Sequence, residues 1–170
     1  MSNFTFLDLT DEVRDLIQSE ITADASNNVL YLSSRLNDLG KKSYPDSLTR
    51  AVKTGDAETL QIELESGNFF NSMDTRQGKP IKMASNAAQL LAQSEFNRFY
   101  IRGVCLKAIK DGQENVEVYR SRQSSWTRPE SENKIGTLIK ASDLLEDLRT
   151  SIGTEPKILP EINSGLSVKL

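Results

Sequence analysis

Hydrophobic residues recur along the chain mostly at intervals of three and four, so the pattern predicts helices with one short β excursion. Thr10 stands ahead of Asp11 and Glu12, and Val13, Leu16, Ile17 and Ile21 follow at helical spacing. A hydroxyl at the N-cap and acids in the first turn suit the positive end of a helix, here predicted over residues 11–20. Asp24 is placed to cap a second helix with a stripe of Val29, Leu32, Leu36 and Leu39, and Gly40 to end it in the left-handed conformation. Residues 41–45 read as a turn before a short helix through Leu48, Ala51 and Val52 to Gly55. Asp56 caps the next, with Ala57, Leu60 and Leu64 inward and Gly67 as its stop, so the two form a helical hairpin.

Residues 68–82 have no clear period, and Gly78 and Pro80 mark a loop. In it Phe69, Phe70 and Met73 either plug back onto the core or stand out as an aromatic anchor for a partner. Residues 85–112 organise the rest. Asn86 starts a short helix through Leu90 and Leu91, and Ser94 is placed to cap a long one. Over residues 96–109, Phe99, Leu106, Phe96, Tyr100, Val104, Ala108, Ile101, Cys105 and Ile109 fall on every side, as expected of a buried helix. Gly103 sits in the middle of it at roughly 1 kcal/mol relative to Ala, which predicts a close crossing by another backbone.

The period changes to two at Val116, Val118 and Arg120, a strand, and residues 136–141 supply a second, giving a β-hairpin around residues 115–141 with a long polar tip. That tip carries the only tryptophan, Trp126, beside Arg128 and Pro129, a combination that can stack on bases or anchor an interface, and the acidic chain around a single aromatic favours the interface. Ser142 caps a last helix with Leu144, Leu145 and Leu148 inward. Residues 154–170 carry Pro156 and Pro160 and isolated apolar positions, Leu166, Val168 and Leu170 among them, and read as an extended tail held by a neighbouring protein. The expectation is mainly α: a compact helical bundle around a buried central helix, residues 1–153, with the small β-hairpin and an extended C-terminal tail, residues 154–170.

Composition narrows the chemistry. With 170 residues, 37% hydrophobic and 26% charged, the core is small for the length. There is no histidine and one cysteine, so Cys/His zinc sites, Ser-His-Asp triads and Cys-His dyads cannot be assembled within one chain. Cys105, inside the most apolar helix, reads as a buried small hydrophobe. Glu63 and Glu65 lie on different sides of their helix, so they make no acid pair. A non-enzymatic chain is expected, with no cofactor and no metal. A net charge of −3 argues against direct nucleic-acid binding, yet residues 98–140 hold nine basic and five acidic side chains, which leaves the remainder at −7. Such polarity suits head-to-tail contact between identical subunits or a fluctuation on a solvated face. Arg98 and Arg102, four apart beside Glu95, form either a helix-surface pair with Glu95 or a contact to a phosphate or another subunit. Residues 1–6 lack a basic start and an apolar run, and nothing later matches a membrane span, so synthesis in a cytoplasm without secretion is expected.

Two resemblances follow from particular stretches. TRAVKTGDAETLQIELESGNFFN is similar to one ankyrin repeat, but it lacks the TPLH element and has no second copy, whereas repeat folds need about three stacked units. EFNRFYIRGVCLKAIKDG, VYRSRQSSWTRPESENKIGTLIKASDLLEDLRTSIG and LPEINSGLSVKL resemble a family of small proteins encoded among the virion-structure genes of tailed bacteriophages. The resemblance covers roughly the second half of the chain and brings no site residues with it. It implies a virion component at the head or head-to-tail joint: a ring-forming homo-oligomeric connector touching portal, tail or capsid proteins, or else a capsid decoration protein. A small cytoplasmic interaction module is the reading of another class. The candidate interface residues are Phe69, Phe70, Arg98, Arg102, Trp126, Arg128, Leu166, Val168 and Leu170.

Overall fold

The computed structural model describes residues 3–124, 126, 128–159 and 164–170. The fold is mainly α with small antiparallel sheets, and the chain divides into two units. One comprises Met1–Leu30 with Asn97–Leu170, the other Tyr31–Phe96. Helix α4 (Ala87–Lys110) is buried over most of its length, as its all-round apolarity predicts, with Ile109 near its end exposed; residues 87–96 lie in the second unit and 97–110 in the first. It is continuous. Ser94 turns its hydroxyl back onto the Leu91 carbonyl at 3.2 Å and so sits inside the helix rather than capping a new one.

In the first unit, α1 (Asp11–Ser26) starts as predicted, with the Thr10 hydroxyl accepting from the Val13 N–H. It runs past residue 20 and buries Val13, Ile17, Glu20, Ile21 and Asp24 along one face. Asp24 is therefore a residue of that helix and not the cap of another. The chain leaves α1 through Asn28 at a φ of 56°, and the Val29 N–H closes the turn on the Asp24 carbonyl. The stripe expected after it does not form: Val29, Leu32 and Leu39 are exposed and only Leu36 is buried. The predicted close crossing is present. A Cβ on Gly103 would lie 2.5 Å from Ile17 Cγ1 and 3.2 Å from the Val13 carbonyl oxygen, so α1 passes α4 where the missing side chain permits it.

The sheet of this unit has the order β4-β3-β5. Strand β3 (Asn115–Arg120) pairs with β4 (Leu138–Lys140) from Asn115 against Lys140 to Glu117 against Leu138, the hairpin the period of two predicted. A short α5 (Pro129–Glu132) lies between them in sequence. Helix α6 (Ala141–Thr150) buries Leu144, Leu145 and Leu148 as expected, although Lys140 rather than Ser142 occupies its N-cap. The other edge of β3 is filled by the chain's own terminus: β5 (Leu166–Lys169) pairs with it from Glu117 against Lys169 to Arg120 against Leu166.

In the second unit the residues expected as a turn and a short helix form one helix, α2 (Asp38–Thr54). The Asn37 side chain accepts from the Gly40 N–H at 2.7 Å and caps it, so Gly40 lies in the first turn. Glycine is needed there for a different reason than a helix stop: a Cβ would run into the Phe69 carbonyl. Pro45 is tolerated inside α2 although it removes one helical donor. Helix α3 (Ala57–Ser66) matches expectation, with Asp56 and Thr59 in a reciprocal capping box and Ala57, Leu60 and Leu64 buried. Residues expected to be irregular contain a hairpin, β1 (Met73–Arg76) with β2 (Lys79–Lys82), joined by Gln77 and Gly78 at φ 51° and 75°. Two successive left-handed residues make the primed turn whose twist matches the flanking strands.

Candidate functional site

The candidate residues separate into those the chain uses internally and those it presents to solvent. Arg102 is 4% exposed and is caged. Its Nε donates to Glu20 Oε1 at 3.0 Å, and Nη1 and Nη2 donate to the two Asp24 oxygens at 2.7 and 2.9 Å. Arg149 on α6 donates to both Glu20 oxygens at 2.8 Å, so two cations and two anions join α1, α4 and α6. The Arg102 guanidinium also lies 4.8 Å from the centre of the Phe99 ring. Burial by itself pushes the Glu20 carboxyl up, but Arg149 and Arg102 overcome it and hold the carboxyl below its usual range. A subunit contact through Arg102 is thereby corrected: desolvated and fully partnered, the side chain is a strut.

Arg98 is equally committed. It is buried four residues earlier on the helix and donates to the Ser151 carbonyl at 2.6 Å and the Thr154 carbonyl at 2.7 Å. From the other side of the same loop, Asp147 accepts the Lys157 and Ile158 N–H groups at 2.9 and 2.8 Å. The segment following α6 is thus fixed from two directions.

Leu166 and Val168 are buried in β5, so their expected role in a neighbour is replaced by a role in this chain's own sheet. The Asn97 side chain donates to the Leu166 carbonyl at 2.9 Å, and the Leu170 N–H donates to Asp8 Oδ2 at 2.9 Å. The N-terminal segment is held beside it. The Tyr119 hydroxyl donates to the Thr5 carbonyl at 2.6 Å, Tyr100 accepts the Asp8 N–H at 2.9 Å, and Phe6 tilts onto the Tyr100 ring. Burial pushes the Tyr100 phenol above its ordinary range, so its hydroxyl stays neutral at physiological pH. By adding to its own β3, the terminal strand gains a ladder of main-chain bonds and buries Leu166, Ser167 and Val168.

Phe69 and Phe70 are half-buried, Phe69 against Gly40 and Gly67, and Phe70 bridging to Leu36. They are therefore packing residues of the second unit. Of the candidates, Trp126 at 82% exposed, Arg128 and, just after β5, Leu170 at 38% stand exposed.

Sequence reasoning missed the hairpin of β1 and β2. Its signal was the Gln-Gly pair between two four-residue stretches, each with an apolar residue, Met73 and Ile81. Both strands are almost wholly exposed and carry Arg76, Lys79 and Lys82, while Asp74 pairs with Arg35 at 3.0 Å. The second missed feature is the outer face of α3, where Glu58, Ile62 and Glu65 stand exposed at intervals of four and three.

Burial pushes the Cys105 thiol up to about 12, which leaves it protonated. Among the described residues no group of three or more Cys, Asp or Glu side chains is placed to hold a metal ion, and no helix is long and apolar enough to cross a membrane. No family model, curated protein or solved structure matches this chain.

Proposed function

We propose that this protein is a non-enzymatic structural component of a tailed-phage particle, a head-to-tail connector whose copies stand side by side in a ring between portal and tail. The observation that carries the reading is Trp126. A large indole with 82% of its surface in water is an anchor awaiting a pocket, since such side chains contribute most of their binding energy only when desolvated. The assignment to a phage particle rests on the resemblance of residues 95–112, 118–153 and 159–170 to the virion-protein family. The lack of histidine and the protonated, buried Cys105 support a binding role over a catalytic one.

Quantitative mass spectrometry of purified particles tests the reading. A connector is expected at about a dozen copies per particle, and hundreds of copies would replace it with a capsid decoration protein. Absence from particles would overturn the virion assignment and favour a small interaction module in the host cytoplasm. Trp126→Ala should fold normally and fail to enter particles; normal incorporation would remove Trp126 as the anchor.

A further inference from the structure

Two surfaces of the Tyr31–Phe96 unit have opposite charge and matching apolar content, and neither is covered by the chain itself. The first is the hairpin. Its register puts Met73 opposite Lys82 and Arg76 opposite Lys79, so cations flank the exposed Met73 and Ile81 on the two faces. The second is the outer face of α3, where Glu58, Ile62 and Glu65 form an acid–apolar–acid stripe with Ile62 57% exposed. Glu65 lies in the last turn of α3, where its charge opposes the helix dipole, and it accepts a hydrogen bond from the Gln61 side chain at 2.9 Å. An exposed isoleucine between two acids fits an external partner that is basic and apolar.

Next to its turn the hairpin is a poor template for strand addition. With Arg76 and Lys79 closing a two-residue turn, the next pair, Thr75 and Pro80, points its main-chain groups outward. Pro80 has no N–H to offer, and the Thr75 N–H is occupied by Asp74 Oδ1 at 2.8 Å. Both edges are blunted in the manner proteins use against uncontrolled sheet growth. What the hairpin offers is side chains.

We propose that the β1–β2 hairpin of one copy docks on the Glu58–Ile62–Glu65 face of α3 in a second copy. Arg76 and Lys79, on the hairpin face that carries Ile81, meet the acids while Ile81 covers Ile62, and Lys82 on the other face adds to the positive field. Different surfaces meet, so the contact is heterologous and propagates from copy to copy until rotation closes it into a ring. A polyanion such as nucleic acid fits less well, because it offers nothing to the two apolar residues and the chain's net charge of −3 repels it. The inference deepens the connector reading and rests on it for the purpose of the contact.

Charge exchange in the full chain tests it, with association followed by sedimentation velocity and native mass spectrometry. The wild type should self-associate, and more weakly in about 0.5 M than in about 0.05 M salt. Arg76→Glu with Lys79→Glu and Lys82→Glu, and separately Glu58→Lys with Glu65→Lys, should each reduce association at least about tenfold, because each variant alone sets like charges face to face. Mixing the two variants brings the reversed hairpin to the reversed helix and the native hairpin to the native helix, so association should return as mixed oligomers. Combining all five changes in one chain also restores complementarity and should restore association. Ile62→Asp should give monomer, and circular dichroism checks that every variant is folded. A wild type that stays monomeric up to about 1 mM, reversals without effect, or failure of both the mixture and the combined variant to recover would each overturn the contact. Binding of duplex DNA by the hairpin with association unchanged by the reversals would overturn it too and assign the cations to nucleic acid. The two readings fail separately: particles that incorporate the charge variants normally keep the connector and lose this contact, while rescued association of a protein absent from particles keeps the contact and loses the connector.

Discussion

Replacing Gly103 by Ala sets intrinsic preference against tertiary packing, and the two predict opposite signs. On an isolated helix the change is favourable by about 1 kcal/mol, because glycine has more backbone freedom to lose. In the folded protein the new methyl would sit 2.5 Å from Ile17 Cγ1 and 3.2 Å from the Val13 carbonyl oxygen. Ile17 and Val13 are both fully buried, and the second contact is main chain, so relief requires α1 to shift as a body. Overpacking of this kind costs about 1–3 kcal/mol, and contact with a branched side chain and a carbonyl together belongs in the upper half of that range. The net expectation is a loss of about 1–2 kcal/mol. Urea unfolding followed by circular dichroism should show a midpoint lowered by roughly 0.5–1 M with an unchanged slope. Ile17→Ala alone should cost about 2–5 kcal/mol by opening a cavity, and the pair should be less damaging than the sum because the methyl added in Gly103→Ala enters that cavity. A Gly103→Ala protein that is more stable than wild type, or strict additivity of the pair, would refute the crossing of α1 and α4 at this residue.

Arg102→Ala should destabilise by about 3–5 kcal/mol in the same assay, since it leaves Asp24 buried without its bidentate partner while Arg149 retains Glu20. Glu12 should titrate far below an ordinary carboxylate: hydrogen bonds from Lys107 and Lys110 hold it at about 2, and nuclear magnetic resonance titration of its side chain should find that midpoint. Because the folded value is depressed, the stabilisation this carboxylate provides is complete above about pH 4.5 and is lost as pH falls towards 2, and about 1 M salt should move the midpoint back up. Deleting residues 166–170 removes the buried Leu166 and Val168 and one edge of the sheet, so the midpoint should fall by an amount equivalent to roughly 3–5 kcal/mol, read by thermal or urea unfolding.

Much of the local structure was legible in the residues because it depends on near neighbours. Thr10 before two acids fixes the start of α1, Asp56 with Thr59 fixes the start of α3, and alternation at Val116 and Val118 fixes β3. The all-round apolarity of α4 predicted its burial, and Gly103 predicted a crossing before any partner was known. The same rules misplaced α2. Gly40 has the residue type of a helix stop, but its position is dictated by the Phe69 carbonyl, far away in sequence. Asp24 has the residue type of a cap, yet it is an α1 residue paired with Arg102 on α4.

The candidate site divides along the same line. Its loop marks Trp126 as a candidate anchor, and the side chain is exposed. Arg98 and Arg102 carry the charge of contact residues and are buried struts, because whether a guanidinium faces water or a carboxylate depends on which helices converge on it. Leu166 and Val168 looked like a tail seeking a neighbour, and they found β3 of their own chain. The complementary hairpin and α3 faces lay hidden for a related reason: periodicity marks what a segment buries, and only the assembled structure shows what is left uncovered. The order of residues by itself determined the absence of histidine chemistry, the helical class and the crossing at Gly103. Tertiary structure decided which charges are neutralised inside, which apolar residues stay in water and where the terminus goes, since these depend on distances between residues that the chain order does not contain.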